Sequence, residues 1–172
     1  GEMGRWSADS VIIQTSVTNE NDPPSATGDA TLPAADEDAT NPAGETVANL
    51  FDGVFDDSTD NQTGIGGNDA STSLGGIAIV GNAADAGTEG TWQYSTDGGG
   101  NWDDIPQGAA DDTSAIILPD DADLRFVPVG DYNGEPGDLD IRLADADQSF
   151  DASANISGTV GDDPNRGTDI WS

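Results

Sequence analysis

The sequence predicts an all-β chain, an antiparallel β-sandwich of about seven short strands, and three observations carry that reading. Apolar residues recur at period two in short stretches, the mark of half-buried strands, and few segments hold a helical period for even three turns. Glycine (23 residues) and proline (9 residues) punctuate the chain where a sandwich needs its turns. The stretch from Thr91 to Trp102 joins alternating aromatics to a glycine-rich turn, which is a hairpin signal.

In chain order, the first strand runs from Val11 to Val17, with Val11, Ile13 and Val17 on one face. Residues 19 to 45 follow as a linker and an edge. Asn19-Glu20-Asn21-Asp22-Pro23-Pro24 is turn-prone and stiffened by two prolines, which predicts a domain boundary near Pro23. Further strands are expected over Thr46 to Phe51 and over Gly76 to Gly81, around the apolar run Ile77 to Val80. Gly90 to Ser95 opens the hairpin. Trp92 and Tyr94 share a face, Asp97-Gly98-Gly99-Gly100 tolerates positive φ, and Trp102 returns on the second arm. Such aromatics serve a small sandwich as core more readily than as a sugar-stacking platform. Ala115 to Leu118, Leu124 to Val127 and Asp138 to Leu143 complete the set. Arg125 and Arg142 fall inside strands and are expected to form structural ion pairs with Asp. Gln148 to Asp169 is polar, rich in Gly and Asp, and reads as a long loop, with Ile170 and Trp171 re-entering structure.

Composition narrows the chemistry. The chain has 172 residues, with 34 Asp and Glu against four basic residues, no His and no Cys, for a formal charge of -30. The basic residues are all Arg: Arg5, Arg125, Arg142 and Arg166. A Ser-His triad, a thiol nucleophile, a Lys Schiff base and a Cys/His zinc site are therefore excluded. A glycosidase needs two carboxylates at a set separation, and nothing in the sequence marks a cleft for them, so the chain is read as no enzyme. A polyanion this dense repels nucleic acid and anionic lipid. No apolar stretch approaches the roughly 20 residues of a membrane span, so no membrane insertion is expected. Gly1 opens directly onto Glu2 without a basic and apolar leader, and the sequence reads as an excerpt or a processed product.

Carboxylates held so close oppose compaction until cations screen or bridge them, and calcium, which takes six to eight oxygen ligands, suits acidic loops between strands. Such clusters stand at residues 19–22, 36–38, 56–61, 111–112, 120–123, 145–147 and 162–165. None has the spacing of an EF-hand loop, and Gly66-Gly67-Asn68-Asp69, half of a glycine-rich nonapeptide repeat, occurs once. Asn61-Gln62-Thr63 and Asn155-Ile156-Ser157 are sequons.

Several stretches together carry a resemblance. They are Glu37-Asp38, Phe55-Asp56-Asp57 with Asp60, the Trp92 to Trp102 hairpin, and Leu124-Arg125-Phe126-Val127-Pro128 followed by Asp131-Tyr132-Asn133-Gly134. Leu139, Ile141, Leu143 and Asp145 also contribute, with Val11, Ile13, Thr15 and Val17 and then Asn21-Asp22-Pro23-Pro24 when residue 172 is joined to residue 1. The chain resembles the cadherin-like and VCBS-type tandem repeats of giant bacterial surface adhesins, over roughly residues 20 to 147 plus the first strand. Pro23 stands where the fuller cadherin linker has another Asn.

The resemblance implies an Ig/cadherin-like sandwich over residues 23–172 with a long acidic C-terminal loop. Residues 1–22 would belong to, or complete, the neighbouring repeat. It implies calcium at the junction, held by Asn21, Asp22, Glu37, Asp56, Asp57, Asp60 and Asp145. The expected function is that of a structural repeat of an extracellular fibre or cell-surface adhesin. Copies would join head to tail by a donated strand, with Val11, Ile13 and Val17 buried in a neighbouring copy as the subunit interface. The alternative is a calcium-dependent glycan- or peptide-binding module of such an adhesin.

Overall fold

The computed structural model describes residues 4, 9–16, 23–58, 73–108 and 115–146. Among them lie β1 (Ser25–Ala26), β2 (Glu45–Thr46), α1 (Val47–Phe51), β3 (Phe55–Asp56), β4 (Leu74–Asn82), β5 (Gly90–Ser95), β6 (Asp103–Asp104), β7 (Ile116–Pro119), β8 (Asp123–Pro128) and β9 (Leu139–Asp145). One sheet has the order β2-β8-β5-β6 and the other β7-β4-β9, while β1 and β3 pair as a short ribbon. Every pairing is antiparallel. The fold is the all-β sandwich that the alternation predicts.

Core side chains come from both layers. Ile77, Ile79, Leu118 and Leu143 of the three-stranded sheet are fully or almost fully buried, and Leu124 of the other sheet joins the same cluster. A register shift in the pairing with β9, between Leu74 and Gly76, lets Leu74 reach the core as well as Ile77, although three positions separate them. Gly90 sits at φ +148°, where a Cβ would run into the Val127 carbonyl and the Phe126 ring, so only glycine allows β5 to approach β8 so closely.

The hairpin forms as its pattern predicts. Gly98 and Gly99 take φ of +71° and +82°, and Gln93 and Tyr94 pair with Asp104 and Asp103. Trp102 lies one residue before β6, not within it. Trp92 and Tyr94 both pack against the core but remain half-buried, less enclosed than expected for residues between two sheets.

Two expected strands are corrected. Thr46 to Phe51 is a turn of helix. Thr46 is its N-cap, the hydroxyl accepting from Asn49 N at 3.3 Å. The first free amides of α1 are taken up by the β7–β8 turn, Val47 N donating to Ala122 O and Ala48 N to Asp120 O, both at 2.8 Å. Residues 11–16 belong to no strand, and Val17 lies outside the described residues. Pro24, immediately before β1, is fully buried. The Gln148 to Asp169 loop and both sequons fall outside the described residues.

Candidate functional site

The sandwich is open along one side. Strand β9 is the edge of its sheet, and among the described residues β4 is its one strand partner. Beside that edge runs a groove of about 550 Å³, bounded by β9, by α1 and by residues 26–32. The inward side chains of β9, Leu139 and Ile141, face it together with Leu50 of α1, Val54 and Trp92. These are five of the seven apolar residues that pack on the core without being fully buried, so the missing burial is concentrated at this groove. Asp29, Asp138 and Asp140 also line it.

Trp92 fixes the floor. Its indole stands edge-on to Phe126 at 5.1 Å and 63°, and its Nε1 donates to Gly137 O at 2.8 Å. That bond ties the segment entering β9 to β5, in the opposite sheet.

The arm that precedes the linker has the complementary character. Val11, Ile12 and Ile13 are 86 %, 79 % and 93 % exposed, and they are the exposed large hydrophobic residues among the described part of the chain. Isolated surface apolar residues are ordinary, whereas a run of three β-branched ones is costly to leave in water.

The acidic candidates fall into different settings. Asn21, Asp22 and Asp60 lie outside the described residues. Glu37 is exposed in a turn closed by Ala39 N donating to Asp36 O at 3.0 Å. Asp56 accepts from Ser58 N at 2.9 Å, and the Ser58 hydroxyl first and its backbone N–H second hold the carboxyl below the ordinary range. Asp57, directly after β3, is 5 % exposed and Asp145, the last residue of β9, is 1 % exposed. Carboxylates so enclosed need strong partners. Among the described residues no three acidic side chains converge on one ion position.

Sequence reasoning expected ion pairs at Arg125, and the structure differs. Its Nε donates to Gln93 Oε1 at 2.8 Å and one terminal nitrogen to Asn41 Oδ1 at 2.7 Å, while the guanidinium lies over the Trp102 ring. Arg125 is 7 % exposed, and burial lowers its pKa. Neutral oxygens and an aromatic face compensate the charge here. Trp102 is thereby covered on one face, and its Nε1 donates to Gly99 O at 3.1 Å.

Leu139 and Ile141 are read correctly from the sequence as strand residues, whereas Leu50 lies in the helix α1 where a strand is expected. Alternation places Leu139 and Ile141 on an inward face, but only the facing layer shows that the space beyond them is unfilled. Compared with known proteins, the chain matches no family model, no curated protein and no solved structure.

Proposed function

We propose that this chain is a structural repeat unit of an extracellular fibre or large surface adhesin, joined head to tail by its first segment and stiffened by calcium at acidic loops. The observation that carries the reading is the exposed arm at Val11 to Ile13. A chain of charge -30 keeps itself apart from most surfaces, yet it presents three large apolar residues in a row. An assembly contact accounts for that combination. The buried carboxylates Asp57 and Asp145 support the calcium part.

A glycan- or peptide-binding module draws less support. Trp92 is spent on the core and on Gly137, and Trp102 is stacked under Arg125, so neither hairpin tryptophan offers both faces to a ligand. No helix among the described residues is long and apolar enough to cross a membrane, and the surface location is part of the proposal.

Sedimentation of the full chain with millimolar calcium tests the reading, beside a variant carrying Ile13→Asp. Concentration-dependent linear oligomers are expected for the former and monomers for the latter. A full chain that stays monomeric at every calcium and salt concentration would sink the idea.

A further inference from the structure

We infer that the groove between β9 and α1 is the acceptor for residues 11–15 of a second copy, which add as a strand along the edge of β9 that pairs with no strand among the described residues. The inference rests on the reading of the chain as a head-to-tail unit and names the surface that receives the arm.

The fit is chemical as well as geometric. A strand rises about 3.3 Å per residue, so a five-residue segment matches the length of β9 from Leu139 to Leu143 that borders the groove. Alternation then places Val11, Ile13 and Thr15 on one face, toward Leu139, Ile141 and Leu50, and turns Ile12 and Gln14 outward. Main-chain N–H and C=O groups at the edge of β9 supply affinity without charge, as in other cases of β-strand addition.

Electrostatics is compatible with the same segment. Asp29, Asp138 and Asp140 line the groove and disfavour an acidic visitor. Residues 10–18, Ser-Val-Ile-Ile-Gln-Thr-Ser-Val-Thr, carry no charge and so meet these carboxylates without repulsion. The chain's own arm is exposed to solvent and contributes no residue to the lining of its own groove. The occupant is therefore the arm of another copy. Each copy has one arm and one groove at different places, a heterologous contact that propagates into a filament unless its rotation closes a ring.

The chain contains no cysteine, so introduced thiols report contacts without background. Full-length Ile13→Cys and full-length Ile141→Cys, differently tagged, are mixed and oxidised, with Asn101→Cys at the far hairpin as the control partner for Ile13→Cys. Circular dichroism checks each variant for folding. The expected result is a disulfide-linked heterodimer at twice the monomer mass for the Ile13/Ile141 pair and none for the control pair. Its yield should rise as salt is raised from about 0.01 to 1 M, because the Debye length falls from ~30 to ~3 Å and mutual repulsion is screened. A chain carrying both substitutions that cross-links within itself, as a monomer, would place the arm in its own groove and overturn the second copy as occupant. Oligomers of the unsubstituted chain without the Ile13/Ile141 cross-link would overturn the groove while leaving head-to-tail joining in place. No oligomer under any condition would remove both.

Discussion

The guanidinium carbon of Arg125 lies 3.9 Å from the centre of the Trp102 ring. Arg125 reaches Gln93 on β5 and Asn41 and Pro42 in the segment before β2, so one side chain on β8 fastens the outer face of the four-stranded sheet to the long connection that crosses it. Arg125→Ala removes donors from several oxygens at once and should lower stability by about 2–3 kcal/mol in urea unfolding. Arg125→Lys keeps the charge but not the planar fork or the stacking, and should recover less than half of that loss. Full recovery by Lys would show that charge alone matters at this position.

Asp97 is the second fixed point of the hairpin. Asn101 N donates to it at 2.8 Å, and the Asn101 side chain and the Ser95 hydroxyl also donate to it. These bonds, the Asn101 backbone contact first, lower its pKa from 3.8 to about 2. The folded state thus binds the proton less tightly than the unfolded state. The resulting stabilisation is fully present above about pH 4 and is lost as pH falls toward 2. Thermal melts between pH 5 and 2 should fall less steeply for Asp97→Asn than for the unsubstituted chain. Parallel curves would show that this carboxylate does not contribute.

Asp123 carries the opposite sign. Burial raises its pKa first, and the neighbouring charges of Glu45, Asp121 and Asp97 raise it further. A carboxyl whose folded pKa is raised opposes folding when ionised and ceases to do so as pH falls through that value. Asp123→Asn should therefore stabilise the chain at neutral pH, by up to about 1 kcal/mol at low ionic strength, and the gain should shrink as salt screens the three neighbours. A gain that persists unchanged at high salt would assign the effect to burial of the carboxylate and not to its three acidic neighbours.

The hairpin and the five longer strands were legible because each holds enough residues for period two to show: Trp92 and Tyr94, Ile77 and Ile79, Leu139, Ile141 and Leu143. Strands of two residues, such as Ser25–Ala26 and Phe55–Asp56, have no period to read and exist because they pair with each other. Glu45 to Phe51 misleads for a related reason. Five helical residues make less than two turns, so Val47, Leu50 and Phe51 cannot declare a helix. The deciding contacts, Thr46 to Asn49 and the amides bonded to Asp120 and Ala122, are local capping and a remote turn. The character of the arm was visible as Val11, Ile13 and Val17, but the groove was not, because a gap between layers is a property of what faces a strand.

Trp92 should be the most sensitive position at the groove. It packs against Phe126 and donates to Gly137 O, while one flank remains open. Trp92→Ala should cost about 3 kcal/mol, toward the lower end for a large core side chain because the indole is only half-buried. Trp92→Phe keeps most of the packing and loses the bond to Gly137, for a cost of about 1 kcal/mol. A Trp92→Ala variant of unchanged stability that loses only binding to a ligand would instead support the recognition-module reading.

The proposed calcium binding predicts a calcium-dependent stability. Asp57 and Asp145 are almost wholly enclosed, and the chain has 34 acidic residues against four basic ones, too few cations of its own to neutralise every loop. An ion that binds only the folded state adds RT ln(1 + [L]/Kd), about 2.7 kcal/mol at a hundredfold excess over Kd. Melting in millimolar calcium should therefore exceed melting in chelator by several degrees at matched ionic strength. Sodium at the same ionic strength screens repulsion without bridging carboxylates, so it should give a smaller shift. Asp145→Asn and Asp57→Asn separate the two effects. Each should remove much of the calcium-specific shift and leave the sodium response intact, because losing one carboxylate barely alters a net charge near -30. Equal melting temperatures in calcium and in chelator would rule out bound calcium. Unchanged calcium shifts in both variants would move the site away from the ends of β3 and β9.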